Sequence, residues 1–106
     1  MTVKPIVQRS QAHADVDQAI GYYLEVANAS AALGFVDALE AGYGHVAKNP
    51  ATGSPRYAHE LSLPGLRAWP LTKYPYLIFY VELDRHIDVL RVLHMAKDIP
   101  NWMDQD

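Results

Sequence analysis

The sequence predicts a single α+β domain with two layers, in which a pair of helices packs against a sheet. Residues 15–48 carry apolar side chains at helical spacing, whereas residues 64–100 contain strand-like runs separated by short turns. Helices followed by a block of strands are typical of this two-layer class. A chain of 106 residues is too short for two ordinary hydrophobic cores, so we expect one domain over residues 1–106.

The composition favours a soluble cytoplasmic protein. Half of the residues are hydrophobic and there is no cysteine, which excludes disulfides and thiolate metal sites. The first ten residues, MTVKPIVQRS, lack the apolar segment of a signal peptide, and no apolar run approaches the length of a membrane span. We therefore expect a cytoplasmic localisation and no contact with a membrane.

The distribution of charge argues against broad binding to nucleic acid. The net charge is −3, but residues 54–97 carry six basic side chains against four acidic ones. This local excess is small, and a dedicated nucleic-acid-binding domain usually has a pI above about 9. The histidines show no metal-ligand spacing, and there is no glycine-rich phosphate loop, so we expect no metal and no cofactor.

The first elements are predicted to be a strand and a helix. Residues 3–8 alternate loosely around Pro5, and because proline cannot donate to a strand ladder, this segment is expected to be a first or edge strand. Apolar residues recur at helical spacing from Asp15 onward, with Asp15 and Gln18 as a possible capping box at the start of the helix.

A second helix is expected to follow after a short break. The break falls at residues 28–30, with Ser30 as the N-cap, and the helix ends at Asn49-Pro50 because proline cannot continue it and Asn tolerates a left-handed cap. Its apolar face consists of Phe35, Leu39, Tyr43 and Val46. Two helices joined by so short a link are predicted to pack as an antiparallel hairpin.

The C-terminal half is predicted to form three or four strands. Residues 57–63 are expected to be a short strand, and residues 66–71 a second one after a turn at Gly65. Residues 76–81, YLIFYV, form an aromatic and β-branched run typical of a central strand buried on both faces. Asp84-Arg85 fits a tight hairpin leading into the last strand, residues 86–95.

Basic residues and a histidine interrupt these strands. A cytoplasmic protein with cations on its central strands is expected to use one sheet face to meet an anionic partner. The interrupting residues are Arg67, Lys73, Arg91, His94 and Lys97.

Two of these cations also have structural interpretations. Arg67 fits either target binding or a cross-strand pair with Glu82 or Glu60. Arg91 falls on the apolar side of its strand by parity, which requires either a bulge near Leu90 or a buried pairing of Arg91 with an acid.

Four motifs give the chain a resemblance to a known family. They are NP-x-x-G-x-P-R (residues 49–56), PGLR (64–67), YPYLIFY (74–80) and IDVLRVLHMAKDIP (87–100). The chain resembles the ParE branch of the ParE/RelE toxins, the toxin halves of bacterial type II toxin–antitoxin pairs. The resemblance implies a β-α-α-β-β-β(-β) fold with a helical hairpin on a twisted antiparallel sheet. It also implies a ParD-like antitoxin as partner, whose disordered tail folds onto the toxin and which alone contacts DNA.

The resemblance implies two alternative targets. ParE toxins act on DNA gyrase, which here implies protein–protein binding without chemistry, carried by Arg67, Lys73, Lys97 and Trp102. RelE-type relatives cut mRNA, which would use Arg67, His94 and Lys97. The nucleases often open the central strand with Arg, whereas this chain has Tyr76 there, so gyrase inhibition is favoured. A third alternative is a non-toxic interaction module or antitoxin-bound co-repressor. Independently of the target, Trp102 is expected either to cover an open end of the core or to anchor a protein partner.

Overall fold

A computed structural model of the chain describes residues 3–96, and within that range the predicted α+β architecture is confirmed. A short strand leads into two long helices, and a third, short helix precedes the last three strands. The elements are β1 (Ile6–Gln8), α1 (Ser10–Val26), α2 (Ala29–Lys48), a 3₁₀ turn (Pro50–Thr52), α3 (Arg56–Glu60), β2 (Leu66–Pro70), β3 (Tyr76–Glu82) and β4 (Ile87–His94).

The four strands form one mixed sheet in the order β1-β4-β3-β2. β2, β3 and β4 are joined by short turns and pair antiparallel, as expected. β1 instead pairs parallel with β4, so the expectation of an entirely antiparallel sheet is corrected for this edge. The whole helical layer lies between β1 and β4 in the chain, and a connection of that length allows a parallel pair. The edge position of β1 confirms the prediction made from Pro5.

The sheet carries a hydrophobic cluster on each face, and β3 contributes to both. Tyr76, Ile78 and Tyr80 face the helices, where they pack with Phe35 and Val46. Phe79 points to the opposite face and packs with a second cluster that contains Leu61, Leu66, Ala68 and Leu93. The prediction of a central strand buried on both faces is therefore confirmed.

The first helix begins earlier than its apolar spacing suggests. It starts at Ser10, so the predicted capping box at Asp15 and Gln18 is wrong. The Asp15 carboxylate instead accepts hydrogen bonds from Arg91 and from the backbone N–H of Val92 in β4. The charge that suggests a helix start therefore serves a long-range contact, which local spacing does not reveal.

The second helix has a different cap from the predicted one. Asn28, not Ser30, is the N-cap, and its side-chain oxygen accepts from the backbone N–H of Ala31 at 2.8 Å. The helix ends at Lys48, as Asn49-Pro50 predicts. Asn49 has φ −136°, so the expected left-handed cap is wrong.

Residues 57–63 do not form the predicted strand, because Arg56–Glu60 is the short helix α3. Tyr57, Ala58 and Leu61 lie at helical spacing and all pack on the sheet face around Phe79. The place beside β2 is occupied by Ser54, whose backbone makes two hydrogen bonds with Ala68 of 2.8 and 2.9 Å. A strand over residues 57–63 would have no free neighbour at that position.

Candidate functional site

Arg67 is bonded inside the fold. It lies on β2 directly opposite Tyr80, and its guanidinium donates to the backbone carbonyl of Gly53 at 2.8 Å. Glu82, one of the two acids considered from the sequence, instead pairs with Lys4 at 2.8 Å. Arg67 therefore fixes the loop after α2, whatever else it contacts.

Tyr80, on the neighbouring strand β3, holds the same loop through its hydroxyl group. Its buried hydroxyl donates to the carbonyl of Pro50 at 2.6 Å and accepts from the backbone N–H of Gly53 at 3.1 Å. A side chain at position 53 would clash, because a Cβ built there lies 2.2 Å from the Tyr80 hydroxyl. We call Pro50, Gly53, Arg67 and Tyr80 the loop-anchoring cluster. It joins three of the four motifs that carry the family resemblance.

Arg91 confirms both of its structural interpretations. Phe79 pairs with Arg91 while Tyr80 pairs with Val89, so the residue between them, Leu90, is the extra residue of a bulge. The Arg91 side chain is buried, and its guanidinium binds both oxygens of Asp15 at 2.8 and 3.0 Å. Such a bidentate pair orients the strand against α1 and takes Arg91 away from any partner surface.

A second arginine–aspartate pair joins the same two elements, but here the aspartate lies on β4 and the arginine at the start of α1. Arg9, just before α1, donates to Asp88 of β4 at 2.6 and 2.9 Å. The sequence therefore places one acid and one base on each side of the contact between α1 and β4. These pairs fix the position of α1 along the strand.

His94 lies at the end of β4, opposite Tyr76. Its Nδ1 accepts from the backbone N–H of Ala96 at 3.0 Å, and its ring meets the Tyr76 ring edge to face at 5.1 Å. Both rings line a cleft of about 260 Å³ between α1 and the end of β4. The lining residues are Asp15, Gln18, Ala19, Tyr22, Tyr76, Val92, Leu93 and His94.

Tyr76 is not a general base in this cleft. Burial is the main cause that raises its pKa, to about 12, with a further contribution from the neighbouring Tyr23. The phenol is therefore protonated at neutral pH. The cleft gains no nucleophilic oxygen from it.

Arg67 and His94 are far apart. They face Tyr80 and Tyr76, which are four residues apart along β3, on strands that flank β3 on opposite sides. With about 3.3 Å per residue and about 4.8 Å between strands, their Cα atoms are roughly 16 Å apart. The described fold does not bring this pair to one phosphodiester.

The remaining predicted site residues lie elsewhere. Lys73 is exposed in the turn between β2 and β3 with φ +71°, a left-handed conformation that is uncommon for lysine. Lys97 and Trp102 lie outside the described residues.

Two other kinds of site find no support in residues 3–96. No three His, Asp or Glu side chains come together there in a way that could hold a metal ion. In the same part of the chain, no helix has both the length and the apolar character needed to cross a membrane.

Tyr22 is the cleft residue that sequence reasoning missed. It lies beside the buried stripe of α1, which includes Val16 and Ala19, and about half of its surface is exposed. Two features of the sequence could have indicated it. Tyr22 is a large aromatic residue next to the buried stripe, and the last turn of its helix has no basic residue.

The fold and the site together define a small two-layer α+β protein. The two arginines on its strands, Arg67 and Arg91, both bond to groups of the protein itself. Residues 6–99 match the model of the ParE toxin of the type II toxin–antitoxin system parDE. The chain therefore belongs to the ParE toxin family and is a ParE-type toxin of a toxin–antitoxin system.

A solved structure supports the fold. The chain is similar to a protein of the chromosomal ParDE TA system from P. aeruginosa, with a TM-score of 0.73 and 20% identity over 89% of this chain and 98% of that one. No curated protein matches the chain in sequence.

Proposed function

We propose that this protein inhibits DNA gyrase by protein–protein binding in the cytoplasm and is neutralised by a ParD-like antitoxin. Membership of the ParE family supports the target class. The observation that carries the choice against RNA cleavage is the separation of Arg67 from His94, together with the internal bonding of Arg67 and Arg91. A nuclease needs its acid, base and cations around one phosphate.

Lys73 is the best-placed of the proposed target-binding residues within the described fold. It is exposed, and no other described residue bonds to its ammonium group. Arg67 remains in the proposed set, but its replacement by Ala also frees the Gly53 carbonyl. Lys97 and Trp102 complete the proposal. A test of target binding therefore begins at Lys73, where a change of charge does not disturb the loop-anchoring cluster.

The test compares two activities of the purified chain. We expect it to inhibit supercoiling by DNA gyrase and to leave mRNA intact on translating ribosomes. Cleavage of mRNA without any effect on supercoiling would favour the ribonuclease alternative. A chain that neither inhibits gyrase, cuts mRNA nor arrests growth would be the non-toxic interaction module.

A charge-removing variant then tests the residue assignment. Asn tolerates the left-handed conformation, so Lys73→Asn removes the ammonium group without new backbone strain. We expect the concentration for half-inhibition of gyrase to rise about three- to tenfold. The matched control is Arg85→Asn in the turn at the opposite end of β3, which should leave inhibition unchanged. Equal effects of the two variants would contradict a specific role for Lys73.

A further inference from the structure

The turn that carries Lys73 is attached to the sheet at its two ends. At its start, the backbone N–H of Leu71 donates to the carbonyl of Tyr76 at 2.9 Å. At its end, the carbonyl of Pro75 accepts from the backbone N–H of Met95 at 2.8 Å. Among the described residues, none of these backbone hydrogen bonds involves Lys73 itself, so the ends of the turn are fixed but its middle is not.

The backbone of Lys73 nevertheless has one defined and unfavourable conformation. Its φ of +71° lies in the left-handed region, where the Cβ of an ordinary residue crowds the following carbonyl. A residue keeps such a conformation only where its surroundings enforce it. We therefore expect a contact from outside the backbone of the turn to hold Lys73 in place.

The next side chain, Tyr74, makes that contact. Its hydroxyl donates to the carbonyl of Ala31, in the first turn of α2, at 2.9 Å. Its ring meets the rings of Tyr23 and Phe35 edge to face, with centroids 5.2 and 5.8 Å apart. Tyr74 therefore ties the turn to both long helices at the position directly after Lys73.

Gly34 leaves the room that this hydrogen bond needs. It lies in α2 beside the Tyr74 hydroxyl, and a Cβ built at position 34 would overlap the hydroxyl oxygen. The next nearest atom, the ring carbon that bears the hydroxyl, is 3.4 Å from that Cβ. A glycine inside a helix costs stability relative to alanine, and here it admits the Tyr74 hydroxyl to the carbonyl of Ala31.

We propose that Tyr74 is a positioning residue for target binding, whose hydroxyl, seated against Gly34, holds the turn so that the ammonium group of Lys73 meets an anionic group of the target. The inference rests on the proposed inhibition of DNA gyrase through Lys73. A charge on a fixed turn binds more tightly than the same charge on a mobile one, because less conformational freedom is lost on binding.

The first experiment compares Tyr74→Phe with Tyr43→Phe in the full chain. Each variant keeps the ring and removes a hydroxyl that bonds to another element, at 2.9 Å to Ala31 or 2.8 Å to Gln8. We expect the concentration for half-inhibition of gyrase to rise about two- to fivefold for Tyr74→Phe and to stay at the wild-type value for Tyr43→Phe. Both are assayed at a temperature where circular dichroism shows them folded.

A double-mutant cycle tests whether Tyr74 acts through Lys73. In the Lys73→Asn background, Tyr74→Phe should cause no further loss of inhibition, because the group that it positions is absent. A residue that only stabilises the fold, or that contacts the target directly, would weaken inhibition by the same factor in both backgrounds. That result would overturn the positioning role.

Gly34 gives a second route to the same hydroxyl. Gly34→Ala should weaken inhibition as Tyr74→Phe does, because the new methyl group displaces the hydroxyl. It should add nothing to Tyr74→Phe, since the oxygen that the methyl group would overlap is then absent. A further loss of inhibition in this double variant would contradict a role of Gly34 through Tyr74.

NMR relaxation measures the turn without the target. We expect the order parameter of the Lys73 amide to fall from about 0.85, the value of rigid backbone, to below about 0.6 in Tyr74→Phe. It should stay near the wild-type value in Tyr43→Phe. An unchanged order parameter in Tyr74→Phe would overturn the positioning role.

Failure of the proposed function is distinguishable from failure of the positioning role. A wild-type chain without any effect on gyrase would overturn the proposed function, and the inference with it. If the wild type inhibits gyrase and Lys73→Asn is weakened, but Tyr74→Phe inhibits as well as the wild type, only the positioning role of Tyr74 is overturned.

Discussion

The loop-anchoring cluster makes the hydroxyl of Tyr80 a strong determinant of stability. Tyr80→Phe keeps the ring in the core and removes only the oxygen that bridges Pro50 and Gly53. Both backbone groups then lose a buried partner, and each unsatisfied group costs about 1–3 kcal/mol. We expect the free energy of unfolding to fall by about 2–4 kcal/mol, a large part of the 5–15 kcal/mol typical of a small domain.

The measurement is urea unfolding followed by circular dichroism. The midpoint should fall while the slope with denaturant stays constant, because the variant exposes the same surface on unfolding. Tyr43→Phe is the matched control, since its hydroxyl accepts one hydrogen bond, from the Gln8 amide at 2.8 Å, and should cost only about 0.5–1.5 kcal/mol.

Arg67 provides a second test of the same cluster. Arg67→Met removes the other hydrogen bond to Gly53, so its effect should not add to that of Tyr80→Phe. We expect a coupling energy of about 0.5 kcal/mol or more in the double-mutant cycle. A loss for Tyr80→Phe no larger than that for Tyr43→Phe, with additive effects at Arg67, would refute the reasoning.

Three further predictions follow from other contacts. Arg91→Met leaves the carboxylate of Asp15 buried without its cation and should cost about 3–5 kcal/mol in urea unfolding; a cost under 1 kcal/mol would contradict a structural pair. Gly44→Ala should stabilise α2 by about 0.5–1 kcal/mol, whereas Gly34→Ala should destabilise it, because a Cβ there lies 2.3 Å from a tyrosine hydroxyl; melting temperatures that rise equally would disprove the clash. Burial raises the pKa of Tyr43 to about 12, so the folded state holds its phenolic proton more tightly than the unfolded chain, and stability should be lost above about pH 10, which unfolding midpoints at pH 9–12 would show.

The element types were largely predictable because they depend on local spacing. The run at residues 76–81 predicted the central strand. The parity of Arg91 predicted either a bulge or a buried pair, and the structure contains both. The misassigned elements depended on distant partners. Asp15 resembled a helix cap in the sequence, but in the structure it pairs with Arg91 of β4. Residues 57–63 resembled a strand, but it is Ser54 that pairs with β2, at Ala68.

The candidate site was less predictable than the fold. The ribonuclease alternative, implied by the resemblance to RelE-type relatives, placed Arg67 and His94 in one site, but the register of β3 with its two neighbours separates them. Tyr22 was missed because its role depends on the end of β4, which is far away in the sequence. Strand order and pairing, which no local pattern specifies, determined which side chains meet.

The loop-anchoring cluster also bears on how such proteins are recognised from sequence. NP-x-x-G, PGLR and Tyr80 are joined through hydrogen bonds around Gly53. The presence of these motifs in a sequence therefore indicates the fold of the loop after α2. They lie apart from the cleft and from the turn that carries Lys73. A descendant that changed its target through the turn at Lys73 could therefore keep all of these motifs, because Arg67 would still be needed to hold the loop at Gly53.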